Sequence, residues 1–246
     1  MVDSFQKLYG VAFIGSGSAT PSQRLLNEEL SLRVDTSDSW IQSRTGIGER
    51  RVISQDESLT DLSTQAALSA LTMAGWTPDS VDLVLLATST PDDLFGSAPK
   101  VQAQLGAVNA VAFDLTAACS GFLFALITAA QFLRTGAMKR VVVIGADQLT
   151  SWVDWNDRRS CVLFGDGAGA VALEAINPSD DGLIGFTLKS DGNRAKRKAI
   201  DRQHISEAPF EAQLIKVADI MDNTKDIVDN DENFAKVYLN EVRQTL

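Results

Sequence analysis

All 17 glycines of this 246-residue chain fall at or before Gly192, and the residues after it contain none. Glycine serves tight turns and close backbone approach, so the first part is expected to consist of many short elements joined by sharp turns. The second part reads as helices joined by short polar turns. Charge divides at the same place. Residues 1–192 carry 13 basic and 22 acidic side chains, a net charge of −9, and residues 193–246 carry 9 and 10, a net charge of −1. A boundary is therefore expected near 190–195, separating residues 1–192 from a tail of residues 193–246.

With 45% hydrophobic residues, 22% charged residues and only 6 prolines, the chain suits one large or two small globular domains. Disorder, collagen and a disulfide-stapled miniprotein are excluded. The net charge of −10 and the lack of a basic stripe count against nucleic acid or an anionic membrane as partner. MVDSFQKLYG lacks the basic flank and apolar core of a leader. No stretch reaches the roughly 18 uninterrupted apolar residues of a membrane span. A cytoplasmic protein is the expectation. Cys119, Cys161 and one histidine cannot supply a four-ligand thiolate or imidazole zinc site, so free thiols and no metal are expected.

Within residues 1–192 strand and helix patterns alternate, which predicts layered α/β architecture. Tyr9–Ile14 reads as a strand followed by a Gly/Ser turn, and Leu25–Leu30 and Ser37–Ser43 as short helices, the second capped by Thr36 or Ser37. Thr60–Ala74 reads as a helix with Leu62, Ala66, Ala70 and Met73 on or near one face, stopped by Gly75. VDLVLLATST is nearly continuously apolar, as a strand buried on both faces requires. Ala98–Leu105 reads as a helix, Val108–Leu115 as a strand, Ala117–Arg134 as a long apolar helix and Val141–Gly145 as a strand. A helix apolar on every side is expected to be buried on every side. Cys161–Phe164, Gly169–Ile176 and Leu183–Lys189 read as further strands, with Gly165-Asp166-Gly167 and Asp181-Gly182 as turns.

Cys119 follows a buried strand and falls in the first turn of the long apolar helix. Backbone N–H groups and the aligned peptide dipoles at a helix start favour a thiolate, which suits a nucleophile. Ala117, Ala118, Ser120 and Gly121 leave room for a thioester carbonyl. Buried cysteines are also common in cores, so a packing role stays open for Cys119 on this local argument. Cys161 is expected to pack at the start of a strand.

VDTSDSWIQSRTGIGERR, FDLTAACSGF and RRSCVLFGDGAGAVAL stand in that order in the sequence. Together they resemble the N-terminal half of beta-ketoacyl-[acyl-carrier-protein] synthase III over about Tyr9 to Gly192. The resemblance implies a thiolase-like layered fold, of which this chain holds one half plus a few helices. It implies a condensing acyltransferase of fatty acid biosynthesis that takes a short acyl group from coenzyme A onto a cysteine and condenses it with malonyl-carrier protein. By the same resemblance Cys119 is the acyl acceptor, Trp40 and Arg44 contact the adenine end of coenzyme A, and Arg158 is another coenzyme-binding arginine. Indole and guanidinium planes can sandwich a base, while cations offset phosphate charge. Phe95 resembles the aromatic residue that crosses a dimer interface to border the neighbour's acyl pocket. Asp166, Gly167 and Gly169 resemble a turn beside the active site. Core packing for Trp40 and Phe95, and solvated or dimer-edge charge for Arg44 and Arg158, are the alternatives. Acyl-CoA enters as substrate, with no tightly bound cofactor, and a homodimer or a complementary half is the expected partner.

The family's decarboxylation step draws a histidine and an asparagine from its second half, and neither has a counterpart here. His204 sits in a charged stretch and reads as a surface residue. The isolated chain is therefore expected to condense very poorly and to leave apolar surface uncovered unless the tail or another chain covers it. A catalytically silent remnant that binds coenzyme A or a full-length synthase is the competing reading. The segment FEAQLIKVADIMDNTKDIVDNDENFAKVYLNEVRQTL resembles the C-terminal helices of HD-type metal-dependent phosphohydrolases, with Asp219 at the place of a metal ligand and Asp222-Asn223 after it. The other ligands of that family are absent upstream, so Asp219 reads as part of a solvated helix face. The two resemblances suggest a fusion, a rearrangement or an assembly chimera.

Overall fold

The computed structural model describes residues 8–190, which divide into two units. The expected boundary at 190–195, the helical tail, His204, Asp219, Asp222 and Asn223 lie outside the described residues.

The larger unit comprises residues 8–36 and 48–187. Its five-stranded sheet contains β1 (Gly10–Ala19), β4 (Leu83–Ala87), β5 (Val111–Leu115), β6 (Arg140–Gln148) and β7 (Asp166–Ile176), in the order β1-β7-β6-β4-β5. β4 runs parallel to β5 and β6, whereas β7 is antiparallel to both β1 and β6. A separate hairpin pairs β2 (Gln23–Leu26) with β3 (Glu49–Val52). α1 (Asn27–Ser31), α3 (Leu59–Ala74), α4 (Ala98–Leu105), α5 (Gly121–Arg134) and α6 (Arg158–Cys161) complete this unit. The smaller unit contributes residues 37–47, holding α2 (Asp38–Thr45), and residues 188–190.

Side chains alternate across a strand, and the sheet buries both faces. Val84, Leu86, Val142 and Ile144 pack with Leu62, Ala66 and Ala70 of α3 and with Val101 of α4. Leu83, Leu85, Val141 and Val143 face the other way, against Ala125, Ala129 and Leu133 of α5. The result is helix, sheet, helix, with β4 wholly buried as its apolar run requires. At the end of α5, buried Arg134 donates to Asp181 at 2.7 Å and to the Leu183 carbonyl at 2.6 Å, fastening the segment after β7 to that helix.

Several expectations change. The Gly/Ser stretch after Ile14 is strand, because β1 continues to Ala19. Its glycines serve close approach: a Cβ on Gly15 would stand 2.3 Å from the Ala70 carbonyl oxygen, and one on Gly17 2.2 Å from that of Ala66. Leu25–Leu30 divides into the end of β2 and the start of α1. β5 begins at Val111, after a turn in which Ala110 N–H donates to the Ala107 carbonyl. Met73 is 65% exposed, reaching over the sheet edge to accept from Ser16 N–H at 3.3 Å. Ala117–Arg134 is a 3-10 turn, Ala118–Ser120, followed by α5. α5 is buried on its sheet side only, and Leu123 is 58% exposed, since among the described residues no second layer covers it. Cys161 ends α6 instead of opening a strand, because the Asp157 side chain caps this short helix by accepting from Arg159 N–H. Asp166 and Gly167 already belong to β7, and residues 183–190 form no strand. Ser37 caps α2, Gly75 ends α3 with φ 68°, and α4 spans Ala98–Leu105, as expected.

Candidate active site

The chain leaves β5 at Leu115 and turns into α5 within five residues. Ala118 has φ 47°, the one positive value among described non-glycine residues. That conformation is costly for a residue with a Cβ and persists only where its surroundings hold it. Here it sits directly before Cys119, within the strand-to-helix junction. Cys119 is exposed, and the Ser120 side chain makes no capping bond to the first turn of α5. The Ser120 and Gly121 N–H groups beside the sulfur donate to the Ala117 and Ala118 carbonyls, so the helix start favours an anion there through its aligned peptide dipoles.

A cavity of about 560 Å³ opens over this junction. Cys119, Ala118 and Phe122 form one wall, and Thr88 and Asp147 another, with glycines of β6 and β7 between them. A Cβ on Gly145 would stand 3.0 Å from the Phe122 ring, whereas one on Gly167 would find Ala19 O at 3.6 Å as its nearest neighbour. Gly167 and Gly169 therefore keep the cavity open as strand residues, Gly169 as its strand pattern predicts and Gly167 where a turn was expected.

Three aspartates fix the surrounding loops. Asp147 Oδ1, at the end of β6, accepts from Ser89 N–H at 2.8 Å, Thr90 Oγ1 at 3.1 Å and Thr88 Oγ1 at 3.3 Å. Asp166 is buried and accepts from Thr150 N–H at 2.9 Å, Thr150 Oγ1 at 2.6 Å and Ile53 N–H at 2.8 Å. Its side chain is thus a clamp between two loops, where the sequence suggested only a place in a turn. Asp114 accepts from Ser97 and Ala98 N–H groups at 2.9 and 2.6 Å. The sequence reading missed Asp147 and Asp114. The available signal was an acid at or near the end of an apolar strand, in VVVIGAD and VAFDL.

The other candidates fall as follows. Phe95 is 90% exposed on the loop after β4, beside a second cavity of about 360 Å³ bordered by Leu94, Asp114 and Thr116. Arg158 opens α6 and donates to the Asp35 carbonyl at 2.6 Å. In the smaller unit Trp40 and Arg44 stand one helical turn apart, with the Arg44 guanidinium carbon 5.0 Å from the indole centroid. Cys161 is buried, and desolvation pushes its thiol up. The two cysteines therefore differ as nucleophiles should: one open to a cavity, the other sealed in the core. Among the described residues no group of three or more His, Cys, Asp or Glu side chains is placed to hold a metal, and no helix is long and apolar enough to cross a membrane.

A mixed sheet between helical layers, with a cysteine at a strained strand-to-helix junction, defines a thiolase-like α/β fold. A family model, 3-Oxoacyl-[acyl-carrier-protein (ACP)] synthase III, matches residues 113–192. The Beta-ketoacyl-[acyl-carrier-protein] synthase III of Prochlorococcus marinus strain MIT 9313 is 76% identical over 185 residues, which cover 75% of this chain and 55% of that protein. The crystal structure of 3-oxoacyl-(acyl carrier protein) synthase III from Pseudomonas aeruginosa PAO1 aligns with a TM-score of 0.70 and 38% identity, covering 80% of this chain and 67% of that one. The synthase III structure from Thermus thermophilus aligns with a TM-score of 0.66 and 32% identity, covering 81% and 70%. The chain belongs to the 3-oxoacyl-[acyl-carrier-protein] synthase III family. It spans about half the length of the curated relatives it matches.

Proposed function

We propose that the chain accepts an acyl group from an acyl-coenzyme A thioester on Cys119. The observation that carries this reading is the exposed Cys119 sulfur at the uncapped start of α5, on the wall of a cavity lined by small residues. The sulfur attacks the thioester carbonyl carbon, the carbonyl electrons move to oxygen, and the aligned peptide dipoles at the start of α5 favour the developing charge. When the carbonyl re-forms, the bond to the coenzyme sulfur breaks. The coenzyme leaves as a thiol, with the proton that Cys119 gave up. Trp40 and Arg44 are the residues proposed for the adenine end, Arg158 is proposed as another coenzyme contact, and Phe95 for a dimer-crossing contact at an acyl pocket.

Condensation with malonyl-carrier protein would follow. Loss of carbon dioxide leaves an enolate whose carbon attacks the acyl group, and the bond to sulfur breaks to release Cys119 as a thiolate. Donors aimed at the enolate oxygen carry that step, each worth roughly 10²–10³ in turnover. The one histidine of the chain, His204, lies outside the described residues, so this is the step for which the described residues supply least. A second reading, a chain that binds coenzyme A or pairs with a complementary half or a full-length synthase, is favoured by the open side of α5 at Leu123.

Intact-mass measurement after incubation with acetyl-CoA tests the first reading. One acetyl adduct on the native chain, absent from Cys119→Ala, is expected; a native chain that stays unmodified overturns it. Adding malonyl-carrier protein then separates acylation from condensation.

A further inference from the structure

The loop before α6 and the loop after α1 are more than 100 residues apart in sequence, yet two contacts tie them. Arg158 donates to the Asp35 carbonyl at 2.6 Å and stands 3.8 Å from the Asp35 carboxylate. Arg33 lies over the Trp155 ring, its guanidinium carbon 5.8 Å from the centroid. The pair of contacts ties a cation at the start of α6 and a cation on the loop after α1 into one region. They differ in one respect. The Asp35 carboxylate offsets part of the Arg158 charge, whereas Arg33 is held by an aromatic face, which orients a cation without neutralising it. In a chain with a net charge of −10, a cation oriented in this way is suited to an incoming anion.

We propose that Trp155 is a positioning residue for the phosphorylated nucleotide end of the acyl donor, acting through Arg33, which joins Arg158 as a second cation for that end. The inference rests on the reading of Arg158 as a coenzyme contact. It adds to that reading a pair of residues, Trp155 and Arg33, that neither the sequence motifs nor the cavity over Cys119 includes. Trp155 is half-buried and Arg33 exposed, so the ring is the fixed member of the pair and the guanidinium the member free to meet a ligand.

The test uses the full chain and adenosine 3′,5′-bisphosphate, the nucleotide end alone, measured by calorimetry. Trp155→Ala is expected to weaken binding about fivefold, the equivalent of about 1 kcal/mol and the size of an exposed cation–π contact. Arg33→Ala should weaken it at least as much, and the double variant no more than Arg33→Ala alone, because both changes remove one device. Trp155→Phe, which keeps an aromatic face, should stay within about twofold of the native chain. A second readout excludes a merely structural role. In Cys119 acylation, Trp155→Ala should raise the half-saturating acetyl-CoA concentration by the same factor and leave the limiting rate unchanged. Acetyl-pantetheine, which lacks the nucleotide, should be used at the native concentration dependence.

Native-like nucleotide binding by Trp155→Ala, additive losses in the double variant, or an equal loss with acetyl-pantetheine would each overturn the inference, as would a native chain that fails to bind the bisphosphate. The two readings fail separately. Bisphosphate binding that responds to Trp155 while Cys119 stays unacylated removes acyl transfer and keeps the nucleotide site. Acylation with native concentration dependence in Trp155→Ala removes the inference alone.

Discussion

Replacing Gly17 by alanine should push α3 away from the sheet, and the size of the effect follows from the contact geometry. The added Cβ would lie 2.2 Å from the Ala66 carbonyl oxygen, 2.6 Å from the Ala70 nitrogen and 2.6 Å from the Ser69 Cβ. Two of those three atoms are helix backbone, so no rotamer change relieves them. Reaching an ordinary contact near 3.4 Å needs a helix displacement of about 1.2 Å. Overpacking of a well-packed interior costs typically 1–3 kcal/mol, and a clash with backbone belongs at or above the top of that range. At about 2–4 °C per kcal/mol for a chain of this size, a melting temperature lower by roughly 6–12 °C is expected. Gly167→Ala is the matched control: it lies on the neighbouring strand, and its nearest neighbour would be Ala19 O at 3.6 Å. It should melt within about 3 °C of the native chain, since the lost unfolded-state entropy contributes only about 0.4–1 kcal/mol. It should, however, narrow the cavity over Cys119. Thermal unfolding followed by circular dichroism decides. A Gly17→Ala chain as stable as Gly167→Ala would refute the reasoning that these glycines exist for close helix approach.

Asp166→Ala should destabilise the fold by about 2–4 kcal/mol, because it strands three donors on a buried clamp, and urea midpoints measure it. Iodoacetamide should modify Cys119 in the native chain and spare Cys161 until denaturant is added, since one thiol is exposed and the other sealed and pushed up by burial; equal labelling of both by peptide mass would contradict the assignment. Glu57 is held down from 4.5 to about 2 by the backbone N–H groups of Ser22 and Ser54. A depressed folded-state value contributes stability above the unfolded value and loses it as pH falls through the folded one. Glu57→Gln should therefore match the native chain below about pH 2 and be less stable above pH 4.5, with the difference opening between them in pH-dependent urea titrations.

What the sequence revealed is what local chemistry decides. The apolar run of β4, the cap at Ser37 and the stop at Gly75 need no distant partner to be recognised. Gly15 and Gly17 do, because a glycine that makes a turn and one that admits a helix are identical in sequence, and only the carbonyls of Ala66 and Ala70 tell them apart. Cys161 was misplaced for a related reason: the apolar run Cys161–Phe164 fits a strand, but the Asp157 cap makes Cys161 the end of a short helix and the chain turns at Val162 and Leu163. At the site, Cys119 was legible because a strand meets a helix there. Asp147 was not, because the donors it gathers stand 57 to 59 residues away. The exposed side of α5 follows from what packs beside it, which no periodicity within the helix records.

Which cysteine takes the acyl group is settled by digesting the chain with trypsin after incubation with acetyl-CoA. Cleavage after Lys100 and Arg134 isolates Cys119 on residues 101–134, and cleavage after Arg159 and Lys189 isolates Cys161 on residues 160–189. The account predicts one acetyl group on the first peptide and none on the second. Acetyl on the Cys161 peptide, or on neither, would contradict it.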